Sequence, residues 1–312
     1  RCRVLPGAQA VEILLNDGGR ASGVLILDEK GKRHRVKADC VVLAASAVES
    51  ARLLLLSRPA GHSAGLGNAH GQVGQNLVLS LDAPGRAVYE YPSPLFQEMV
   101  DGRSFLNRSI QDRYLDKEAP GPYPKSGTLI LDRAHRNPIQ QVLRAIRDTA
   151  GPLPMGSSLV DLIQRTLIDE RSIVYESFVE MLPRAGSHVT LDTKVTDANG
   201  LPAARITVDD YPHEAERAGR LRTIAHEVLN GLKKKPIRME DDGDLSRTYF
   251  LQAGTCRMGE KPEHSVTNAS GQVHNVPGLY VSDGGALPSM GGVPPTLTIM
   301  ANALRIADGI KS

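Results

Sequence analysis

The residues best suited to chemistry lie at the start of a helix near the carboxyl end of the chain. Pro294 and Pro295 mark that start, because proline fixes φ and lacks an N–H group that the first helical turn would leave unpaired anyway. The backbone N–H groups of Thr296, Leu297 and Thr298 then point out of the helix, where they favour an anion or a polarised carbonyl oxygen. The sequence therefore predicts a site for an electron-rich group at this helix end.

Two glycine-containing turns precede that helix. The first is Gly-Thr-Cys-Arg-Met-Gly at residues 254–259. The second, Asp283-Gly284-Gly285, follows a short apolar strand predicted over residues 278–282. Taken singly, each turn is also typical of an ordinary structural turn. Their order of turn, strand, acidic turn and helix is what makes them a candidate site.

The helix itself, predicted over residues 296–310, repeats apolar residues at intervals of three and four. This spacing is typical of a helix that packs one face against a sheet. The residues of that face are Leu297, Met300, Ala301, Leu304, Ile306 and Ala307.

These three segments, from residue 254 to residue 308, resemble the carboxyl-terminal signature of the glucose–methanol–choline (GMC) family of FAD-dependent oxidoreductases. The resemblance implies FAD as the cofactor and a small alcohol or sugar as the substrate. It also implies hydride transfer from a CH–OH group, such as that of a sugar or glycoside, to the flavin. The implied fold class is mixed α/β: part of a Rossmann-like FAD-binding domain, plus a substrate domain with an antiparallel sheet flanked by helices.

The same resemblance implies roles for particular residues. Asp283 and Gly284 correspond to positions beside the pyrophosphate and ribityl chain of FAD, and the start of the last helix faces the flavin. In the amino-terminal part, Ser46 stands where the family usually has glycine. The complete set of predicted cofactor-binding residues is Val11, Ala45, Ser46, Gly254, Thr255, Asp283, Gly284, Thr296 and Leu297, with Val11 at the adenine.

The catalytic base is where the sequence departs from the family. The two positions that usually hold a histidine and a histidine or asparagine are occupied by Leu251 and Pro294, whose side chains cannot accept a proton. General-base catalysis commonly contributes about two to four orders of magnitude in rate. His264 and His274 are close in sequence, and each is either a displaced base or a solvated loop histidine.

A second departure concerns the ADP half of the cofactor. The family's Gly-x-Gly-x-x-Gly phosphate turn occurs nowhere in these 312 residues. We therefore expect an amino-terminal segment, in the same polypeptide or in a second chain, to supply the ADP-binding half, unless this chain binds no FAD by itself. The first residue is Arg1, which also suggests part of something longer.

Composition limits the other classes of function. Hydrophobic residues make up 41% and charged residues 23% of the 312 residues, as in soluble globular proteins, and the net charge of +2 gives no support to a nucleic-acid partner. Cys2, Cys40 and Cys256 are widely spaced, which favours free thiols in the cytoplasm over a metal site. We find no membrane span in the sequence.

Periodicity divides the chain into three segments: an FAD-domain part at 1–77, a substrate domain at 78–245, and a return to the FAD domain at 246–312. The first segment is predicted to hold a β-meander, a strand at 39–45 buried on both faces, and a helix at 48–57. Predicted strands in the middle segment are 86–91, 128–131, 173–181 and 188–191, and predicted helices are 139–149, 158–167 and 212–234.

Two other interpretations remain open. The losses at Leu251 and Pro294 also fit a degenerate family member that acts as a non-redox enzyme or as a binding or structural subunit. The third interpretation is an unrelated globular domain that matches by chance.

Overall fold

The computed structural model describes residues 2–91, 107–119, 121–133, 137–149, 151–241 and 246–311. The chain divides into two compact units. Unit 1 consists of Arg1–Ser80, Met181–Asp210 and Tyr249–Ser312, and unit 2 of Leu81–Glu180 and Tyr211–Thr248.

The strands are, in chain order, β1 (Gln9–Leu15), β2 (Ala21–Leu27), β3 (Arg33–Lys37), β4 (Val41–Leu43), β5 (Val78–Asp82), β6 (Gly85–Glu90), β7 (Asn107–Ile110), β8 (Gly127–Arg133), β9 (Glu170–Val179), β10 (His188–Thr196), β11 (Pro202–Thr207), β12 (Arg238–Asp241), β13 (Ser246–Ala253) and β14 (Leu279–Val281). The α-helices are α1 (Ser46–Leu56), α2 (Pro138–Arg147), α3 (Ser157–Gln164), α4 (Pro212–Asn230) and α5 (Thr296–Lys311).

The predicted β-meander is present at the start of unit 1, where β1, β2 and β3 form an antiparallel sheet. The turn between β1 and β2 depends on Asn16, whose side-chain oxygen accepts hydrogen bonds from the N–H groups of Gly18 (3.1 Å) and Arg20 (3.0 Å). An asparagine side chain that mimics a backbone acceptor in this way stabilises tight turns.

A parallel pair of strands forms the centre of unit 1. β4 lies beside β14, and α1 follows β4 after a two-residue turn. Val41 and Leu43 are buried in a core with Leu54 of α1 and Val281 of β14. Val42, however, is 45% exposed, so the prediction of a strand buried on both faces is wrong for the described residues: β4 alternates buried, exposed and buried.

Helix α5 confirms the predicted helix but corrects its predicted face. Ile306 is buried, with its Cδ1 atom 2.6 Å from where a Cβ atom on Gly271 would stand. Four of the five predicted partners of Ile306 on one buried stripe are exposed and Ala307 is partly buried, because the helix turns its other side to the rest of unit 1. These exposed residues are Leu297, Met300, Ala301 and Leu304.

Unit 2 is built on an antiparallel sheet with a helix on one face. β9 pairs with β6 and with β8, β12 extends the sheet beyond β6, and β7 pairs with β8. Ala225 and Leu229 of α4 pack on this sheet, where the buried contacts are Ala87, Tyr89, Leu129, Ile173 and Tyr175. Ile173 and Tyr175 alternate with partly buried neighbours along β9, so their side chains share the face that receives the helix.

The two units differ from the division read from the sequence in one respect. Residues 181–210, which carry β10 and β11, belong to unit 1 and not with the middle of the chain. Of the predicted middle segment, residues 92–106 and 242–245 lie outside the described residues. The functional roles given to the segments stay a prediction.

Candidate functional site

Asp283 is the centre of the candidate site in unit 1. It directly follows β14 and is 7% exposed. One carboxylate oxygen accepts a hydrogen bond from the N–H of Gly285 (2.8 Å), and the other accepts one from the hydroxyl of Ser50 on α1 (2.5 Å). The N–H of Ala45 donates to the hydroxyl oxygen of Ser50 (3.1 Å), and the backbone N–H groups of Ala45 and Ser46 act to lower the pKa of the Asp283 carboxyl. Asp283 therefore joins the end of β14 to the start of α1.

Burial dominates the electrostatics of this carboxyl. Desolvation raises the pKa of Asp283, although the Ser50 hydroxyl and three backbone N–H groups act in the opposite direction. The thiol of Cys256 is also buried, and burial raises its pKa as well, with a smaller contribution from Asp283. Cys256 is therefore a core residue and not a nucleophile.

The turn at 254–259 lies directly against the turn that follows β14. The N–H groups of Cys256 and Met258 donate to the carbonyls of Gly285 (2.8 Å) and Ala286 (2.9 Å), and Thr255 donates through its hydroxyl to the carbonyl of Ala47 (2.6 Å). These bonds bring the two glycine-containing turns and the start of α1 together, as the candidate site requires.

Two glycines permit this close approach. Gly254 has φ of 94°, and a Cβ atom there would lie 2.1 Å from the carbonyl oxygen of Asn76. A Cβ atom on Gly284 would lie 2.4 Å from the carbonyl oxygen of Gln252. Either side chain would force the backbone apart, so glycine is needed at both positions.

The turn between β4 and α1 contains a strained residue. Ser46 has φ of 70°, in the left-handed region that favours glycine. The residue before it, Ala45, is the N-cap of α1 and supplies no side-chain cap. Backbone strain of this kind persists where neighbouring contacts impose it, and here the N–H groups of both residues are near enough to the Asp283 carboxyl to oppose the effect of burial on its pKa.

The start of α5 lies next to these turns and is open. The first hydrogen bond joins the N–H of Ile299 to the carbonyl of Pro295 (2.9 Å), so the N–H groups of Thr296, Leu297 and Thr298 make no bond within the helix. The side chain of Leu297 is 78% exposed. Ile299 Cδ1 is 3.3 Å from where a Cβ atom on Gly284 would stand, which places the first turn of α5 beside the candidate site.

Val11 lies apart from this group, on β1. The pairing of β1 with β2 shifts between Ala10 and Glu12, so Val11 is the extra residue of a β-bulge. A bulge leaves backbone groups outside the regular ladder, and the predicted adenine contact at this position is one made by the backbone. Contact between Val11 and a cofactor stays a prediction.

Neither histidine near the site is arranged as a base toward the start of α5. His264 is exposed in a loop. His274 Nε2 is 2.8 Å from the hydroxyl of Ser265, and that hydroxyl donates its own proton to the carbonyl of Lys261 (2.7 Å). Since a hydroxyl has one proton, His274 is the donor in its contact with Ser265, and the pair closes the loop.

The predicted base positions offer no replacement. Leu251 is half-buried at the end of β13, and Pro294 is exposed. The sequence reasoning missed Ser50, which is fully buried and bonded to Asp283 across 233 positions of sequence. The one signal in the sequence was a small polar residue, Ser50, at an interior position of the helix.

The described residues offer neither a metal cluster nor a membrane-spanning helix. No group of three or more histidine, cysteine, aspartate or glutamate side chains there could hold a metal ion. None of the helices in the same part of the chain has both the length and the apolar character needed to cross a bilayer.

Comparison with protein families decides the membership. A model of the amino-terminal domain of GMC oxidoreductases matches residues 2–82, and a model of the carboxyl-terminal domain matches residues 183–303. This chain belongs to the GMC oxidoreductase family. The GMC fold and its FAD cofactor, expected from the resemblance, are thereby confirmed, and the chance match is excluded.

Several curated relatives are similar over nearly the whole of this GMC chain. Paromamine 6'-oxidase of Streptomyces fradiae is 31% identical over 309 residues, which are 97% of this chain and 51% of the relative. 2-Methyl-1,2-propanediol dehydrogenase of Mycolicibacterium austroafricanum is 30% identical over 96% of this chain and 53% of its own length. The chain thus spans about half the length of the curated relatives it matches.

Solved structures show the same fold. A formate oxidase variant of Aspergillus oryzae superimposes with a TM-score of 0.67 at 15% identity, over 98% of this chain and 60% of that one. An FAD-dependent oxidoreductase of Chaetomium thermophilum gives a TM-score of 0.58 at 19% identity, over 98% and 61%. At these identities the likeness shows the fold alone.

The residues of the GMC chain fit an acceptor-rich group such as FAD. Besides the open N–H groups of α5, Arg257 Nε and Asn302 Nδ2 are buried and have no hydrogen-bond partner within the described ranges. Arg257 belongs to the 254–259 turn, and Asn302 lies on α5. Phosphate, ribityl and flavin oxygens are the acceptors such donors require. The comparisons give no support to a second polypeptide, and the expected ADP-binding segment stays a prediction.

Proposed function

We propose that this chain is the part of an FAD-dependent oxidoreductase that positions the flavin for oxidation of a CH–OH group on a small alcohol, sugar or glycoside. One observation carries the proposal. The open start of α5 lies beside the Asp283–Gly284 turn, so that donors for an electron-rich ring and the backbone cradle for its chain are in one place.

The names of the relatives support the substrate class. They include paromamine 6'-oxidase, 2-methyl-1,2-propanediol dehydrogenase and a C-glycoside 3-oxidase of Arthrobacter globiformis. In each name the oxidised compound carries hydroxyl groups. A hydroxyl-bearing sugar or glycoside is therefore our first choice of substrate.

When bound, FAD supplies the acceptor of the hydride. The chain's own contribution is electrostatic and geometric. The N–H groups of Thr296, Leu297 and Thr298 and the positive end of the α5 dipole stabilise negative charge at that place. Asp283 holds the ends of β14 and α1 in register, which fixes the glycine turns on which the cofactor's chain would rest.

The proton of the substrate hydroxyl requires a separate acceptor. Leu251 and Pro294 cannot take it, and the Nε2 atom of His274 is engaged with the hydroxyl of Ser265. We therefore assign the base to none of these residues. We propose that the phosphate turn lies in a segment of the protein outside these 312 residues, because the chain contains no such turn and matches about half of its relatives' length.

The loss of a base at Leu251 and Pro294 favours a second candidate function, that of a binding or structural subunit. A GMC protein without a base is expected to bind FAD and a polyol but to transfer hydride very slowly, as a binding or structural subunit. Anaerobic addition of a sugar or glycoside distinguishes the two functions, since only the enzyme loses its flavin absorbance.

The role of the α5 start can be tested by removing one donor. Thr296→Pro deletes a backbone N–H at the first helical position, where proline does not disturb the helix. Thr296→Val removes the hydroxyl and keeps the N–H, and it is the matched control. We expect Thr296→Pro to weaken FAD binding by roughly fivefold to a hundredfold, from about 1–3 kcal/mol for one hydrogen bond to an electron-rich group. The affinity is measured by fluorescence as FAD is titrated into the FAD-free protein. Equal affinity of the two variants would exclude this N–H as a cofactor donor.

A further inference from the structure

We propose that the outer edge of β3 is a docking site for an extended acidic segment of another protein, which adds to the antiparallel sheet as a further strand. The segment carries acidic residues at alternate positions, opposite Arg33, Arg35 and Lys37 of β3. The inference goes beyond the proposed function, because it concerns a protein partner and requires no redox chemistry.

The first observation is the free edge of β3. Among the described residues, β3 pairs with β2 alone. At the two ends of the pair, the N–H of Ala38 donates to the carbonyl of Ser22 (3.0 Å) and the N–H of Asp28 donates to the carbonyl of Lys32 (3.0 Å). In an antiparallel pair the bonded positions alternate along the strand, so the even-numbered residues from 32 to 38 turn their backbone groups toward β2.

The odd-numbered residues of β3 therefore turn their backbone groups to the outer edge. They are Arg33, Arg35 and Lys37. Their side chains lie on one face of the sheet, because successive side chains of a strand alternate between the two faces. Alternate residues are roughly 7 Å apart, so the edge presents a row of three cations beside a row of outward N–H and C=O groups.

The second observation is the charge of this segment. Residues 30–37 include five lysine and arginine side chains, and all eight residues are exposed. Within the described part of the chain, none of these five cations forms an ion pair, and the carboxylate of Asp28 is bonded to Nε2 of His34 (2.8 Å). Clustered charge of one sign on an exposed surface attracts a partner of the opposite sign and speeds its association.

The free edge and the charge together select the occupant. A second copy of β3 would place like charges directly opposite one another, which destabilises a strand pair. Nucleic acid and anionic lipid carry the required charge but do not offer the alternating N–H and C=O groups of a strand. An extended acidic segment offers both, and apolar residues between its carboxylates would cover Val36, which is 40% exposed on the opposite face.

The experiment uses the complete FAD-containing protein and a defined probe. The probe is a fluorescent seven-residue peptide of alternating glutamate and valine, capped at both ends, and its binding is followed by anisotropy at low ionic strength. One control peptide has the same composition with all the glutamates before the valines. A second control keeps the alternation but carries N-methyl groups on the backbone nitrogens that would face β3. We expect saturable binding of the probe, and at least about tenfold weaker binding of each control.

The test variant combines Arg33→Glu with Arg35→Glu, two exposed positions of the edge. The matched control combines Lys194→Glu on β10 with Arg205→Glu on β11, which changes the net charge equally at exposed positions of another strand pair in unit 1. We expect the test variant to bind the probe at least about tenfold more weakly than the unmutated protein, and the control to lose less than about threefold. Circular dichroism confirms that both variants are folded.

Hydrogen exchange distinguishes strand addition from simple attraction of charges. With the probe bound, exchange should slow at the outward N–H groups of Arg33, Arg35 and Lys37. The N–H groups of His34 and Val36 already face β2, so they should change less.

Four results would overturn the inference. The probe does not bind, a control peptide binds as tightly, the test variant binds as tightly as the unmutated protein, or a single-stranded oligonucleotide or an anionic lipid vesicle occupies the edge more tightly than the probe. An edge whose charges serve only to keep other strands away would bind none of the peptides. Binding is measured from the peptide, so the result does not depend on whether the protein oxidises a CH–OH group.

Discussion

Removing the carboxylate of Asp283 should destabilise the protein in a way that depends on the replacement. Its two oxygens accept hydrogen bonds from the N–H of Gly285 and the hydroxyl of Ser50, both buried. Asp283→Ala leaves both donors without a partner, at about 1–3 kcal/mol each, so we expect a loss of about 2–6 kcal/mol in the free energy of unfolding. Native proteins are stable by only about 5–15 kcal/mol, so this loss is large.

The control for this prediction is Asp283→Asn. The amide oxygen can accept from Gly285, and the amide nitrogen can donate to the oxygen of Ser50, which reverses that bond without breaking it. Both variants remove the charge, so the difference between them isolates the acceptors. We expect Asp283→Asn to lose less than about 1 kcal/mol.

The assay is urea unfolding followed by circular dichroism, with equal m values required for comparison. Burial raises the pKa of Asp283, so the folded state binds its proton more tightly than the unfolded state does. The stability this contributes is present below the unfolded pKa and is lost as pH rises through the folded pKa, and both variants should lack that dependence. The reasoning is refuted if Asp283→Ala is within about 0.5 kcal/mol of the unmutated protein, or if the two variants are equally damaging.

Two further predictions concern Asp82, a buried carboxyl, and Ser46, an exposed residue with a strained backbone. Burial raises the pKa of Asp82 to about 7, so the free energy of unfolding should fall as pH rises from about 4 to about 7. Asp82→Asn should remove this pH dependence, which amounts to at most about 4 kcal/mol. Identical pH profiles of the free energy of unfolding for the two proteins would contradict the prediction. Ser46 has φ of 70°, so Ser46→Gly should stay within about 1 kcal/mol of the unmutated free energy of unfolding. Ser46→Val, which introduces a β-branched side chain, should lose about 2 kcal/mol in urea unfolding. A Val variant as stable as the Gly variant would show that the backbone at this position is not strained.

Local patterns in the sequence predicted local structure well. β2 lies in the predicted β-meander, because the Asn16 turn and the alternation of buried residues specify it without help from the rest of the chain. The helix after Pro295 also begins where expected, since the two prolines leave little choice.

The errors have a common physical cause. The spacing of Leu297, Met300 and Leu304 shows that α5 has an apolar face, but periodicity cannot tell which neighbour covers it. The same holds for β4, where an apolar run predicted burial on both faces and Val42 is half exposed. What covers each face is set by long-range packing, which a local pattern does not contain.

In the candidate site, too, the local turns could be predicted from the sequence and the long-range contacts could not. Its turns could be predicted from glycines and an acidic residue, because those types are needed at tight approaches such as Gly254 and Gly284. The contact of Asp283 with Ser50 joins residues that only the fold brings together. Leu251 and Pro294 could be recognised as departures from the family, yet neither sequence nor structure supplies another base among the two nearby histidines.

The most direct test of the account is a flavin spectrum of the FAD-containing protein during anaerobic addition of sugars, glycosides and small alcohols. The account predicts that the visible absorbance of oxidised flavin is lost on addition of at least one of these hydroxyl compounds and returns when an electron acceptor is admitted. A protein that binds FAD but keeps its spectrum with every compound, at every pH at which it is folded, would contradict oxidation of a CH–OH group and leave the binding role in its place.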